Sequence, residues 1–434
     1  MTDASRSDQN VAIGDGLTVD AVAAVAGGQC IARVDGRVVF VRDAIPGERV
    51  EVEVTGTGRR GAFLRADTQR VITASPHRVV PPCPVARECG GCDWQHVEVD
   101  FQRQLKKQVI IDAFKRTGGI AAIGGIPLAE AFVVERPDAG SGLGWRTRMR
   151  YAITPTGDIG LRAARSHRVI PATLCPLADD RIRRSLADYV APPGAHTLIA
   201  AVSQRRPPGL ADASTDTDTS TDTEDSAVLV TDQQVDAGDV PVIEERVRDR
   251  RFRVAASGFW QVHPLAASTL VEAVLRTAEV RPGDRVLDLY SGVGLFAAFL
   301  AKAATATGRV DAVECDKIAV GFAMSSLADL PAVHHHRADV QRWLSRGDRP
   351  SADVVVLDPP RAGAGRVVVQ EIARRKPRTI VYVACDAVAL ARDAAYLGAC
   401  GFDLISLRAF DLFPMTKHVE CVATFTANAP VDSA

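Results

Sequence analysis

A chain of 434 residues has room for roughly three domains. Its apolar share of 47% and charged share of 24% are those of packed globular proteins, which excludes wholesale disorder. A net charge of −1 excludes a protein that is basic all over, yet leaves room for a local basic groove.

No uninterrupted apolar run reaches the ~18 residues of a membrane helix, and the opening MTDASRSDQN lacks the apolar core of a signal peptide. The expectation is a cytoplasmic chain without a membrane partner, acting as a monomer. The nine cysteines are odd in number and unevenly spaced, which is not the pattern of a disulfide scaffold.

Residues 17 to about 72 read as five short strands. LTVDAVAAV, QCIARV, RVVFV, RVEVEVTG and FLRADTQRVI are separated by turn signals such as Asp35-Gly36 and Pro46-Gly47. Five strands in so short a stretch point to a small closed barrel, OB-like in kind. Next comes PPCPVARECGGCDWQH, in which Cys83, Cys89 and Cys92 cluster. With Cys175 as a fourth ligand, such thiolates make a structural zinc site or hold an iron–sulfur cluster, and spacing does not decide between them. A helix is expected over 98–117, with Leu105, Val109, Ile110 and Phe114 on one stripe and Gly118-Gly119 ending it.

Residues 141–170 are strand-like and basic. Arg146, Arg148, Arg150, Arg162, Arg165 and Arg168 face only one carboxylate, Asp158. Alternate spacing puts the first three on one strand face, and with Trp145 and Tyr151 they point to a phosphate-binding surface. The acidic stretch ADASTDTDTSTDTEDS at 211–226 reads as a disordered insert reaching to near 240.

From about 251 onward, strands and helices alternate. RVLDLY, RVDAVE, DVVVLDPP and TIVYVA are buried-type strands, each followed by a helical segment, which implies a doubly wound parallel α/β sheet. Asp288-Leu289-Tyr290-Ser291-Gly292-Val293-Gly294 joins a strand to a helix, and glycines there let a ligand approach the backbone. Glu314 ends the next strand, where an acidic residue commonly accepts ribose hydroxyls. Without a full G-x-G-x-x-G or a P-loop lysine, S-adenosylmethionine suits this edge better than NAD. Asp358-Pro359-Pro360-Arg361 stops a strand in a rigid loop. Cys385 follows TIVYVA at a helix start, where a thiol is expected to have a lowered pKa. His334-His335-His336 reads as a partly exposed strand rather than a metal site, because neighbours on a strand point to opposite faces.

Taken together, the chain resembles the S-adenosylmethionine-dependent RNA uracil-5 methyltransferases over roughly 17–428, excluding the acidic insert. GGQCIARVDGRVVFVRDAIPGERVEVEV resembles the TRAM domain, a small RNA-binding barrel. CPVARECGGCDWQH resembles the segment that carries a [4Fe-4S] cluster in some members. FWQVHP, DLYSGVGLF, DAVECD, LDPPRAG, YVACD and DLFPMTKHVE follow in the family's order. The resemblance implies a TRAM barrel at 10–74 and a cluster-bearing, RNA-binding central domain at 75–250, whose 98–117 helix packs on the catalytic domain. A Rossmann-like methyltransferase domain at 251–428 completes the chain.

It implies that Cys83, Cys89, Cys92 and Cys175 ligate the cluster. Gln261, Tyr290, Glu314, Asp339 and Asp358 would contact the cofactor, with Cys385 the nucleophile and Glu420 the base. The expected partner is structured RNA, 23S ribosomal RNA first and transfer RNA second. Leu295 stands where many members have Asn, and Asp386-Ala387 where Asn-Pro is common. An RNA cytosine-5 enzyme would carry a cysteine near Asp358-Pro359-Pro360, and an amino-group methyltransferase an aromatic at Arg361. A non-catalytic iron–sulfur protein would have no use for both Cys385 and Glu420.

Overall fold

The computed structural model describes residues 11–138, 140–203, 226–238, 240–346 and 351–428. They divide into two units. The first comprises residues up to Arg87 together with Cys92–Val109 and Met415–Lys417.

Its sheet is built from β1 (Gly16–Asp20), β2 (Ala23–Ala24), β3 (Cys30–Val34), β4 (Arg37–Arg42), β5 (Arg49–Thr57) and β6 (Phe63–Thr73), in the order β1-β5-β6-β4-β3-β2. In β5 the alternation is direct: Val50, Val52 and Val54 are buried, while Glu51 and Glu53 lie on the wetter face. Asp35 and Gly36 both have positive φ, the geometry of a tight two-residue hairpin between β3 and β4.

The closed barrel expected from the sequence is corrected here. Among the described residues no ladder joins β1 to β2, so the sheet stays open. β2 is two residues long, and its ladder is with β3. Glu48 is fully buried in this unit and is satisfied by Arg78 (2.6 Å to each oxygen) and by the amides of Ile45 and Ser75. A second small core gathers Trp94 and Val97 with Leu105 of α1 (Val99–Ala113).

The second unit holds Glu88–Gly91, Ile110–Pro414 and His418 onward. A short hairpin of β7 (Ala122–Ile123) and β8 (Ile126–Pro127) leads through α2 (Leu128–Ala131) to β9 (Val134–Glu135). An antiparallel sheet follows, formed by β10 (Arg148–Ile153), β11 (Ile159–Arg162), β12 (Val169–Pro171), β13 (Thr197–Ala201) and β14 (Val228–Thr231), with α3 (Asp180–Ala187) in the connection after β12. Residues 211–225 of the acidic stretch lie outside the described residues. Its expected continuation to near 240 is not loop throughout: β14 pairs with β13, and Gln234 accepts the Thr231 amide at the start of α4 (Asp232–Asp236). A boundary at 250/251 would cut a hairpin, because β15 (Val242–Val247) pairs along its whole length with β16 (Arg250–Ala255).

The remainder is α5 (Ala266–Ala278), β17 (Arg285–Leu289), α6 (Leu295–Ala304), β18 (Arg309–Glu314), α7 (Lys317–Ser326), β19 (Val333–Arg337), α8 (Val340–Leu344), β20 (Val354–Leu357), α9 (Gly365–Ala373), β21 (Thr379–Ala384), α10 (Ala387–Ala399), β22 (Phe402–Phe410) and β23 (Glu420–Ala427). The sheet order is β19-β18-β17-β20-β21-β23-β22-β9. Strands β17 to β21 run parallel, and β23 runs against both β21 and β22.

Both faces of this sheet are covered. Leu287, Leu289, Val355, Leu357, Ile380 and Tyr382 enter one core with α9, α10, Ile110 and Phe114. Val286, Val354, Val356, Val381 and Val383 enter the other with α5 and α6. Continuous apolar strands such as TIVYVA are what burial on both faces requires.

Candidate active site

The parallel order fixes where the candidate residues emerge. Asp339, Glu314, Tyr290, Asp358 and Cys385 each end or follow β19, β18, β17, β20 and β21. They therefore line one edge in strand order, at the carboxyl ends where doubly wound sheets bind ligands. Glu420 starts β23, which runs antiparallel, so its beginning lies at that same edge. Ala384 pairs with Cys421, and one step further the register sets Cys385 across from Glu420.

The turn after β17 is shaped for close approach. Tyr290 has φ +63° and Gly294 +84°, and a left-handed non-glycine residue stores strain at a place the fold over-determines. Glu314 holds this turn: its Oε2 accepts from Gly292 N at 3.0 Å, and its Oε1 accepts from Cys315 N (2.7 Å) and Asp316 N (2.8 Å). Asp339 caps α8 through the Arg342 amide (2.9 Å). Gln261 is buried in the segment between β16 and α5. The acidic ribose partner and the glycine turn expected from the sequence are thus joined by a hydrogen bond.

Electrostatics concentrate toward β17, β20, β21 and β23. Asp288 is buried, with Oδ2 accepting the Ala297 amide at 2.8 Å and Oδ1 without a hydrogen bond. Burial pushes it up to about 8, and the Asp358 and Glu314 carboxylates add to the rise. Burial likewise raises Asp358 to about 7. Glu420, 3% exposed, is raised well above the carboxylate range by burial and then by Asp358, with Arg361 opposing.

The expectation of a lowered thiol at Cys385 is corrected. Burial, then Glu420 and Asp358, push it up to about 12, and Arg361 opposes without prevailing. Cys385 also precedes the cap: Asp386 is the residue that takes the first amides of α10, from Val388 and Ala389. The thiol thus lies within electrostatic reach of buried Glu420 and half-buried Asp358, either of which can take its proton when ionised.

The fold and this edge agree with what the chain is similar to. Residues 17–67 match the TRAM domain. An uncharacterized RNA methyltransferase of Streptomyces coelicolor is 41% identical, over 95% of this chain and 93% of its own. Another, from Streptomyces avermitilis, is 40% identical over 92% of this chain and 95% of its own. The chain belongs to the RNA methyltransferase family that its sequence resembles. The crystal structure of Pyrococcus abyssi tRNA (uracil-54, C5)-methyltransferase in complex with S-adenosyl-L-homocysteine shares the fold, with a TM-score of 0.64 at 22% identity over 94% of this chain and 99% of that one.

Other expected residues of the methyltransferase are placed differently. Cys83 and Cys92 belong to the first unit, and Cys89 and Cys175 to the second. Cys83, Cys89 and Cys175 are buried. Cys92 Sγ accepts from Gln95 Nε2 at 3.0 Å, and Cys89 Sγ from Gly91 N at 3.4 Å. The donor set is chemically suited to a soft metal centre, since amides already aim at two sulfurs. Among the described residues no three His, Cys, Asp or Glu side chains are grouped to hold a metal ion.

The basic stretch is corrected at Arg148. Arg148 is buried, pairs with Glu245 (3.2 Å) and donates to the carbonyls of Ala255, Ala256 and Gly258. Trp145 is buried, as is Tyr151 on the opposite face of the strand, whereas Arg150, Arg162, Arg165 and Arg168 are exposed. Sequence reasoning passed over Asp288 and Arg361 as actors, although both stand inside the motifs it used. It also passed over Asp393, an acid on the Leu390–Ala394–Leu397 stripe of α10, where charge on a buried face was the available signal.

Proposed function

We propose that the protein methylates C5 of a uridine in structured RNA, using S-adenosylmethionine. The observation that carries this reading is the register that sets Cys385 across from Glu420, with Asp358 ending the strand beside them. C5 of uracil is a poor nucleophile. Addition of the Cys385 sulfur to C6, with loss of the thiol proton to a neighbouring carboxylate, turns C5 into an enolate carbon. C5 takes the methyl group from the sulfonium. A carboxylate, assigned as Glu420, then removes the C5 proton, and the sulfur–C6 bond breaks to restore the ring.

Tyr290, Glu314, Asp358, Gln261 and Asp339 are the proposed cofactor contacts. The target base has to be unstacked to reach this edge. Ribosomal RNA is the proposed substrate. Transfer RNA is the second reading, supported by the Pyrococcus abyssi tRNA (uracil-54, C5)-methyltransferase that shares the fold.

The test is transfer of labelled methyl from S-adenosylmethionine to RNA, with nucleoside mapping of ribosomal and transfer RNA from cells with and without the protein. A 5-methyluridine that disappears with the protein supports the reading. A lost methyl mark on another base refutes it. A [4Fe-4S] cluster on Cys83, Cys89, Cys92 and Cys175 belongs to the same proposal, as a structural support to which no reaction step is assigned. Iron and sulfide in anaerobically purified protein are expected, and stoichiometric zinc instead would overturn it.

A further inference from the structure

The loop that carries Asp358 and Arg361 is held from outside the site. It leaves β20 through Pro359 and Pro360, which offer no amide donors, and turns with Gly363 N on Pro360 O at 2.7 Å. Its next two amides, Ala364 N (2.8 Å) and Gly365 N (3.1 Å), both donate to Asp393 Oδ2 on α10. Tyr382 Oη donates to the same oxygen at 2.8 Å, and to Tyr382 Oη itself comes Ala364 N at 2.9 Å.

Asp393 Oδ1 takes Arg392 Nε (2.9 Å) and Nη2 (2.8 Å), and Arg392 Nη2 also donates to Ala362 O at 2.8 Å. Asp393 is fully buried. Gly363, at φ +79°, leaves room for this arrangement: a β-carbon there would stand 2.6 Å from both Arg392 Nη2 and Asp393 Oδ2. Three residues of the loop are therefore tied to one carboxylate and its arginine, while its other end carries Arg361.

We propose that Asp393, backed by Arg392, is a positioning residue that fixes the Pro359–Gly365 loop and so keeps the Arg361 guanidinium beside Cys385 and Glu420. This rests on the catalytic reading of that edge but makes a claim about charge that does not need turnover. Arg361 opposes the upward shift of both Cys385 and Glu420, so it lies within electrostatic reach of each. It is exposed and reaches His418 Nε2 at 3.5 Å, so its own contacts do not anchor it as firmly as the clasp anchors its loop.

The readout is alkylation of Cys385, followed by peptide mass spectrometry, with iodoacetate and with iodoacetamide on the full-length protein. A guanidinium beside the thiolate favours the anionic reagent. The ratio of the two rates cancels changes in access and in thiolate content. Arg361→Gln should lower that ratio about threefold or more, as the loss of one nearby charge. Asp393→Asn should lower it by a comparable factor, and the double variant no further, since both act through the same charge.

An unchanged ratio in a cooperatively melting Asp393→Asn protein, or additive losses in the double variant, would overturn the proposal. Should Asp393→Asn fail to fold, Arg392→Gln takes its place at the partly exposed outer end of the clasp. A lowered ratio there supports the proposal and an unchanged one overturns it. The expected ratios in a protein that transfers no methyl group to RNA would refute the proposed reaction and leave the clasp standing.

Discussion

The proposed role of Glu420 follows from its surroundings. It is buried, raised by desolvation and by Asp358, and set across from the thiol. A carboxylate held that high is a competent proton acceptor near neutral pH, where an exposed glutamate would be too weak a base. Glu420→Gln keeps the shape and removes the basicity. Methyl transfer is expected to occur once and elimination to stall, leaving methylated RNA bonded to Cys385 as a slow band on a denaturing gel. Cys385→Ala should give neither band nor product. Normal turnover of Glu420→Gln would hand the base to Asp358.

Glu314 does two things at once, since it holds the Gly292 turn and faces the cofactor edge. Glu314→Ala should weaken S-adenosylmethionine binding by ~1.5–3 kcal/mol, the range for a charge-assisted hydrogen bond. Calorimetry showing unchanged affinity would remove Glu314 from the site.

At the scale of elements, β10 separates what alternation can say from what it cannot. Period-2 spacing puts Arg148 and Arg150 on one face, but it does not tell which end of that face is covered. Arg148 meets Glu245 and the carbonyls at the end of β16 and just beyond it, contacts made by residues about a hundred positions away in the sequence. Removing one partner of a buried pair leaves the other uncompensated, so Arg148→Ala should cost ~3–5 kcal/mol in denaturant unfolding. Arg150→Ala should stay within about 0.5 kcal/mol, as surface changes do. Equal, small effects would return Arg148 to the surface role its spacing first implied.

The same limit explains the rest of what the sequence left open. Strand–helix alternation after residue 251 was legible because a sheet covered on both faces leaves apolar runs that local pattern detects. The order of the acids along the edge followed from it. Whether the TRAM sheet closes, and whether the Cys385 thiol is raised or lowered, depend on neighbours distant in sequence. At Cys385 the helix start was visible, but the desolvation and the two carboxylates that outweigh it were not.

For the whole molecule, the acids with raised pKa make stability depend on pH in a stated direction. Asp288 and Asp358 rise to about 8 and about 7 in the folded chain, against ~3.9 when unfolded. Between those values the folded state holds more protons than the unfolded one. Their contribution is complete below about pH 4 and is lost as pH rises through 7 to 8. The cofactor-free protein should therefore melt at a lower temperature at pH 9 than at pH 6. The slope from each acid is at most about 1.4 kcal/mol per pH unit. Asp288→Asn can still accept the Ala297 amide and should flatten that dependence. A variant with the wild-type slope would show that Asp288 does not titrate on folding.

The reversed direction of β23 has a consequence in time as well as in space. Translation delivers the cofactor edge and the thiol first, and only then the strand that separates β21 from β22. Until β23 is made, β21 lacks one of its two ladders and β22 keeps only its two-residue ladder to β9. On the proposed reaction, a growing chain stopped short of residue 420 would bind the cofactor without its general base, with an open apolar edge that invites foreign strands. Ribosome-arrested chains halted before and after β23 emerges should differ accordingly: both retain labelled S-adenosylmethionine, and only the longer releases methylated RNA. On that reading the protein gains its general base and loses the exposed edge in the same step of its own synthesis.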